Sequence, residues 1–286
     1  MKKFIIILIS SLCIGGYAFS QELYVSTEPA SNMPANSFGI RFTDKVFKME
    51  HDGRTGMRFE PELMFGINKK LMVHVIGYAS NMMQSSIRAE GGSIYAKYRF
   101  LSNDELHSHF RMAAYVKGSV IDNPFYPKME GHGFTKPYNN AEQDLEGNTS
   151  GFTGGVVATQ LIHKLALSGI VGYNRYMNNV KDNLPDNISR NAVNYSLSAG
   201  YLLLPVKYKS YEQTNVNLYV ELLGKSNTDA VSRNYYVDIA PAIQFIFNST
   251  TRLDFAYRTQ LAGDMPRNVF NTFLVRFEHN IFNIKK

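Results

Sequence analysis

One cysteine and no tryptophan occur in 286 residues, and the cysteine falls where it is not expected to survive. Lys2 and Lys3 precede an apolar run from Phe4 to Ile14, and Ala18-Phe19-Ser20 offers small residues before Gln21, the layout of a cleaved secretory signal over residues 1–20. The run is shorter than the roughly 20 residues a spanning helix needs, and Leu12 stands where a lipid-modified Cys13 would want a small residue. Loss of residues 1–20 removes the cysteine, which excludes disulfides and thiolate chemistry. Long apolar runs are missing too: no later window approaches about 18 consecutive apolar residues, and mean hydropathy is −0.22. Helical membrane spans are therefore excluded. Net charge is modest, 30 Lys and Arg against 24 Asp and Glu, and loss of Lys2 and Lys3 lowers it from +6 to +4. That is too little to imply nucleic acid as a partner. No glycine-rich phosphate loop leads from a strand into a helix, since Gly151 to Gly155 lie on a strand edge.

What the chain does have is 18 tyrosines, 19 phenylalanines and a period of two. From Met57 to Ile67 the odd positions are all apolar, while the even ones run Arg58, Glu60, Glu62, Met64 and Gly66. This predicts a strand with one greasy and one charged face. An Asn68-Lys69-Lys70 turn returns the chain into Leu71 to Tyr78, completing a hairpin. Residues 21–36 read as an N-terminal segment at the periplasmic rim or in the barrel mouth, and a first strand covers Ser37 to Phe47. Ile94 to Phe100, Phe110 to Gly118, Phe152 to Gln160, Leu165 to Tyr176, Val193 to Leu203, Val216 to Lys225, Tyr235 to Phe245, Leu253 to Arg258 and Val269 to Ile281 read as further strands, Phe152 to Gln160 with poor alternation. Ile121 to Gly151 is the longest stretch without alternation and is expected to be an external loop. Pro61 and Pro241 fall inside strands and are expected to mark bulges.

The pattern predicts an all-β fold: a transmembrane antiparallel up-and-down β-barrel of about 12 strands over residues 37–282, with short periplasmic turns and longer extracellular loops. The residues Pro61 to Leu71, Ile94 to Phe100 and Gly200-Tyr201-Leu202-Leu203-Leu204-Pro205 resemble hairpin signatures of outer-membrane barrels classed as transporters, including the MetA-pathway phenol-degradation type. The style of the sequence is similar to that of Bacteroidota. The resemblance specifies turns and lipid-facing positions and implies no reaction. The chain departs from the usual barrel ending, because Asn283-Ile284-Lys285-Lys286 follows the aromatic Phe282.

Candidate site residues are the charges on the inward faces. The bases are Arg41, Lys45, Arg58, Lys97, Arg99, Arg111, Lys117, Lys225, Arg252, Arg258 and Arg276; the acids are Glu60, Glu62, Glu221, Asp238, Asp254 and Glu278. Eleven against six leaves a lumen near +5. These residues either brace a narrow barrel by pairing or form a charged constriction, with Lys97, Arg99, Arg111 and Lys117 facing Asp238 and Asp254. Twelve strands about 4.8 Å apart and tilted by about 40° give a Cα diameter of roughly 24 Å, so long side chains from opposite walls nearly meet. Glu60 and Glu62 share a face as an acid/base pair would, and Arg58 and Arg276 are expected to neutralise them. His107-Ser108-His109 has strand spacing for a metal pair but sits at a turn without a third ligand, so no metal or cofactor is expected. Glu142, Asp144 and Glu146 are expected to be solvated loop acids.

The expectation is an integral outer-membrane barrel, reached by the cleaved signal, that acts as a passive channel or uptake pore for small solutes. An alternative is a non-conducting barrel with a salt-bridged interior whose loops bind a partner. A barrel lipase is disfavoured, because no strand carries a His-x-Ser stretch, and the protein is not expected to be an enzyme. Expected partners are outer-membrane lipid and lipopolysaccharide, the barrel-assembly machinery and a small-molecule solute.

Overall fold

The computed structural model describes residues 24–105, 108–127, 137–206, 212–231 and 233–284. The expected signal and His107 lie outside them. Twelve strands form one closed antiparallel barrel in which every strand pairs with its sequence neighbours and β1 pairs with β12. The strands are β1 (Ser37–Lys48), β2 (Thr55–Gly66), β3 (Leu71–Ser80), β4 (Arg88–Asp104), β5 (Ser108–Ile121), β6 (Gly151–Ile162), β7 (Leu165–Tyr176), β8 (Asn191–Leu204), β9 (Asn215–Asn227), β10 (Tyr235–Phe247), β11 (Thr251–Gly263) and β12 (Asn271–Ile281). Closure leaves no strand edge unpaired, which is what lets a sheet sit in hydrocarbon.

The alternation that fixed the strands also fixes their faces. Leu197 is 67% exposed whereas its neighbour Ser198 is 4% exposed. The same contrast separates outward Phe42, Leu63, Val75, Ile94, Val116 and Leu218 from inward Arg41, Glu62, His74, Lys97 and Asn217. Turns at one end of the barrel are tight. Asn248 and Ser249 take positive φ of 50° and 57°, and Thr250 N–H donates to the Phe247 carbonyl at 3.1 Å. This mirror-image turn matches the twist of the strands it joins.

Three expectations need correction. Strand β4 runs from Arg88 to Asp104, well beyond Ile94 to Phe100, and a bulge between Arg99 and Leu101 carries the pairing on through Asp104. The prolines do not mark bulges. Opposite β3, Phe59 pairs with Ala79 and Glu62 with Ile76 in unchanged register, and opposite β11, Ile239 pairs with Thr259 and Ala242 with Ala256 in the same way. Each proline faces outward and interrupts one ladder locally, the cost of its missing N–H. The third correction concerns residues 122–150: the described part folds back into the barrel.

Candidate functional site

The inward charges form a paired network. Arg41 on β1 bridges Glu62 on β2 at 3.2 Å and Glu278 on β12 at 2.8 Å, and Glu278 also holds Arg252 at 3.2 Å. Glu62 takes His74 Nδ1 as a further partner, and Glu60 binds Lys45 at 2.6 Å. Glu60 and Glu62 thus form their ion pairs with Lys45 and Arg41 rather than with Arg58 and Arg276, and His74 hydrogen-bonds Glu62. Asp238 lies between Arg258 at 2.6 Å and Arg267 at 2.7 Å, and Asp254 accepts the Tyr219 hydroxyl at 3.3 Å. Neither meets the wall of four bases expected to oppose it. Arg99 turns to the exposed short-turn rim, where it donates to the Lys69 carbonyl at 2.7 Å. Arg111 pairs with Asp104 at 2.8 Å near the same rim, and His109, one of the two histidines with metal-pair spacing, binds Asp104 at 2.9 Å.

Residues 24–36 cross the short-turn half of the lumen. Glu221 on β9 accepts the backbone N–H groups of Val25, Ser26 and Thr27 at 3.2, 2.9 and 2.7 Å. From β4, fully buried Lys97 donates to the carbonyls of Pro29 and Ser31 and lies 3.4 Å from Glu28. Tyr24 donates to the Ala166 carbonyl at 2.6 Å and packs with Val25, Tyr219, Ala256 and Leu274. Two charges that read as wall residues therefore serve an irregular segment with no sheet partner, supplying donors and acceptors its backbone would otherwise lack.

Residues 137–150 enter from the other end. Glu146 meets Lys45 at 2.8 Å and Lys117 at 3.6 Å; Asp144 meets Arg58 at 3.3 Å; Glu142 meets Arg267 at 2.8 Å and Lys225 at 3.9 Å. The acids expected to be solvated are the anchors of this segment. Burial pushes the Glu142 carboxyl up, but Arg267, Lys225 and Arg258 outweigh it and hold it at about 2. Lys45 holds Glu146 well below the usual carboxylate range against the opposing effect of burial, with help from Lys117. The segment's backbone carbonyls also accept from the wall, Leu145 from Ser119 Oγ at 2.7 Å and Gln143 from Lys225 Nζ at 2.6 Å.

These segments change the charge of the lumen. Glu28, Glu90, Glu142, Asp144 and Glu146 join the six expected acids, while Arg267 joins the bases and Arg99 leaves them, so eleven acids face eleven bases among the described residues. The positive excess expected from strand periodicity is cancelled, mostly by residues off the strands; only Glu90, on β4, is a strand residue among the added acids. Sequence reasoning also missed His74, which the period of β3 places inward, and Arg267, which lies in a loop.

Between the two inserted segments is a cavity of about 400 Å³. Its walls differ. β1, β2, β11 and β12 present Arg41, Lys45, Arg58, Glu60, Glu62, Arg258 and Arg276, whereas the inward faces of β6, β7 and β8 carry no charged side chain, only residues such as Thr153, Thr159, Ser168, Asn174, Asn194 and Ser196.

The fold has solved counterparts. An outer-membrane channel from Pseudomonas putida F1 superposes with a TM-score of 0.57 at 10% identity, over 90% of this chain and all of that one. The KdgM porin, in complex with disordered oligogalacturonate, gives 0.44 at 6% identity over 85% of this chain and 98% of its own, and the β-domain of a Bordetella autotransporter gives 0.42 at 11% over 86% and 100%. No family model and no curated protein matches the chain. The first likeness shows the fold, a closed barrel of the kind found in an outer-membrane channel, and the transporter family suggested by the hairpin residues stays a resemblance.

Proposed function

We propose that the protein is an outer-membrane channel that passes small solutes passively through a lumen narrowed by residues 24–36 and 137–150. The observation that carries this reading is the water-accessible cavity held inside the closed barrel between those segments. Its polar lining suits a hydrated solute, and the apolar outer face suits outer-membrane lipid, with lipopolysaccharide at the loop end and the short turns in the periplasm. Folding would follow delivery by the signal to the barrel-assembly machinery. The reading needs no catalytic group. The grip of Lys97 and Glu221 on the N-terminal segment favours a second reading, a barrel closed by that segment.

Single-channel recording of the full-length protein in a planar bilayer, beside a variant lacking residues 24–35, separates the two. A channel shows discrete openings in the full-length protein and larger ones in the variant. A silent full-length protein with a conducting variant marks a barrel closed by its own N-terminal segment. Silence in both removes the channel reading.

A further inference from the structure

The uncharged wall of the cavity carries a built surface. Tyr115 on β5, Gly155 on β6, Gly172 on β7 and Asn194 on β8 are register neighbours in one row. The Tyr115 side chain runs along that row. A Cβ on Gly155 would stand 2.7 Å from its hydroxyl and one on Gly172 would stand 2.3 Å from it, so a side chain at either position would lift the ring off the wall. Glycine inside a strand marks such a close approach. Asn194 Nδ2 donates to the hydroxyl at 3.4 Å and fixes where it lies. Tyr95 on β4 continues the surface, its ring centroid 5.9 Å from that of Tyr115 at an interplanar angle of 29°. Both rings line the cavity.

The polar group on the same stretch of wall is Asn174. It follows Gly172 by two residues on the same face of β7, about 7 Å along the strand, and Gly172 is the residue over which the Tyr115 hydroxyl lies. Asn174 is 7% exposed and lines the cavity, and its side-chain amide makes no hydrogen bond among the described residues. Buried amides are normally paired, because an unmet one has lost its water for nothing, so this amide points to a partner that arrives with a solute. That partner is not an anion. The bases in register with this surface are Lys97 and Lys117, opposite Tyr115 and Tyr95, and Lys225, opposite Asn194. Lys97 holds the carbonyls of Pro29 and Ser31, Lys117 meets Glu146 at 3.6 Å, and Lys225 donates to the Gln143 carbonyl at 2.6 Å. All three are committed within the protein, and β6, β7 and β8 add no inward charge.

We infer that the cavity binds a neutral sugar ring on the wall of β4 to β8, its C–H face on Tyr115 and Tyr95 and its hydroxyls on the side-chain amide of Asn174. The face of a tyrosine ring is the negative side of its quadrupole and attracts the polarised C–H hydrogens of a sugar. A primary amide presents a donor and an acceptor side by side, the match for two neighbouring hydroxyls. Every anchor stands on adjacent strands of one wall, so a single ring reaches them without spanning the lumen. The inference deepens the channel reading and rests on it for its role, since such a ligand would be the solute in transit, but the site itself is tested without conduction.

Saturation-transfer NMR titrations of the full-length protein test it, in a polyoxyethylene detergent that carries no sugar, with methyl glucoside, glycerol, phenol and methyl glucuronide as probes. Methyl glucoside should bind about tenfold tighter than glycerol, which has hydroxyls but no ring, and about tenfold tighter than phenol, which has a ring but one hydroxyl. Methyl glucuronide, the same ring with a charge added, should gain nothing. Asn174→Leu should weaken methyl glucoside about tenfold and leave phenol binding and the thermal unfolding midpoint unchanged, since the amide has no protein partner to lose. Tyr115→Leu should weaken methyl glucoside and phenol alike. Because Tyr115→Leu can loosen the wall, each variant is checked for the heat-modifiable mobility of an intact barrel, and Asn174→Leu decides where the tyrosine variant fails that check. Glycerol or phenol binding as tightly as methyl glucoside would overturn the inference. So would methyl glucuronide binding about tenfold tighter than methyl glucoside, or an intact Asn174→Leu barrel that binds methyl glucoside as the wild type does. Binding without bilayer conductance would keep the site and remove the channel reading; conductance without methyl glucoside binding would do the reverse.

Discussion

Two segments fill the barrel, and they are held by different physics. Residues 24–36 are gripped by their backbone: three N–H groups on Glu221 and two carbonyls on Lys97. Residues 137–150 are gripped mainly by side chains of their own, with Glu142, Asp144 and Glu146 seated on Arg267, Arg58, Lys45 and Lys117. A backbone grip tolerates many sequences but depends on a few wall residues, Glu221 and Lys97 with Thr159, which accepts the Ala30 N–H at 2.9 Å. A side-chain grip spreads over several pairs, so each is less decisive, and it answers to salt and to acid.

The sharpest test of this contrast is Glu221→Ala. It leaves three N–H groups without their acceptor, at about 1–3 kcal/mol for each one that stays buried, so the expected loss is about 3 kcal/mol in guanidinium unfolding, together with protease cleavage near Thr27. An unchanged unfolding curve would show that the apolar packing of Tyr24 and Val25 alone holds the segment. Lys97→Met should cost less, about 2 kcal/mol, because the methionine keeps the stem packed and strands only two carbonyls and Glu28. A larger loss than for Glu221→Ala would reverse the ranking of the two wall charges.

Acid addresses the other segment. The Glu142 pKa is lowered, so its contribution is fully present above the ordinary carboxylate value of 4.5 and is lost as pH falls toward about 2. Glu146 works in the same direction. The hydrogen-exchange protection of residues 141–150, taken relative to the intrinsic rate at each pH, should therefore fall between about pH 4.5 and 2, and Glu142→Gln should lower it at neutral pH. Protection that is flat across that window would mean that the backbone bonds of the segment, not its acids, dock it. The smallest effect is expected from salt. At 1 M the Debye length falls to about 3 Å, which should loosen the half-exposed Glu146 pairs by under about 1 kcal/mol while residues 24–36 exchange as before.

Most of the barrel was legible because burial and the strand period are the same signal: Leu197 and Ser198 could not both face lipid. The faces of Arg41, Glu62, Lys97, Glu221 and Glu278 followed from that alternation alone. Their partners did not, because a partner two strands away or inside the lumen leaves no mark at a fixed spacing. Glu142, Asp144 and Glu146 look like any acidic loop until Arg267, Arg58 and Lys45 stand beside them. The backbone-held N-terminal segment is still less visible, since Val25, Ser26 and Thr27 contribute only N–H groups to Glu221. Strand β6 read as weak for a physical reason: apolar Val157 is buried on its inward face, while Gly154 and Gln160 share the outward face with Phe152 and Val156.

The seam between β1 and β12 joins the first strand to the last, pairing Phe38 with Ile281 and Phe47 with Thr272. It is the contact of greatest sequence separation in the barrel, and closing so long a loop is entropically the slowest kind of step. Residues 24–36 run directly into β1 and already span the lumen to β9, so a sheet that curls with this segment lying along its concave face can use it as a mandrel. Before the seam zips, Glu221 and Lys97 would tie the leading edge of the sheet to strands in its middle, shortening the effective loop. The same two residues that hold the segment across the lumen in the finished barrel would then set the rate at which the barrel comes into being.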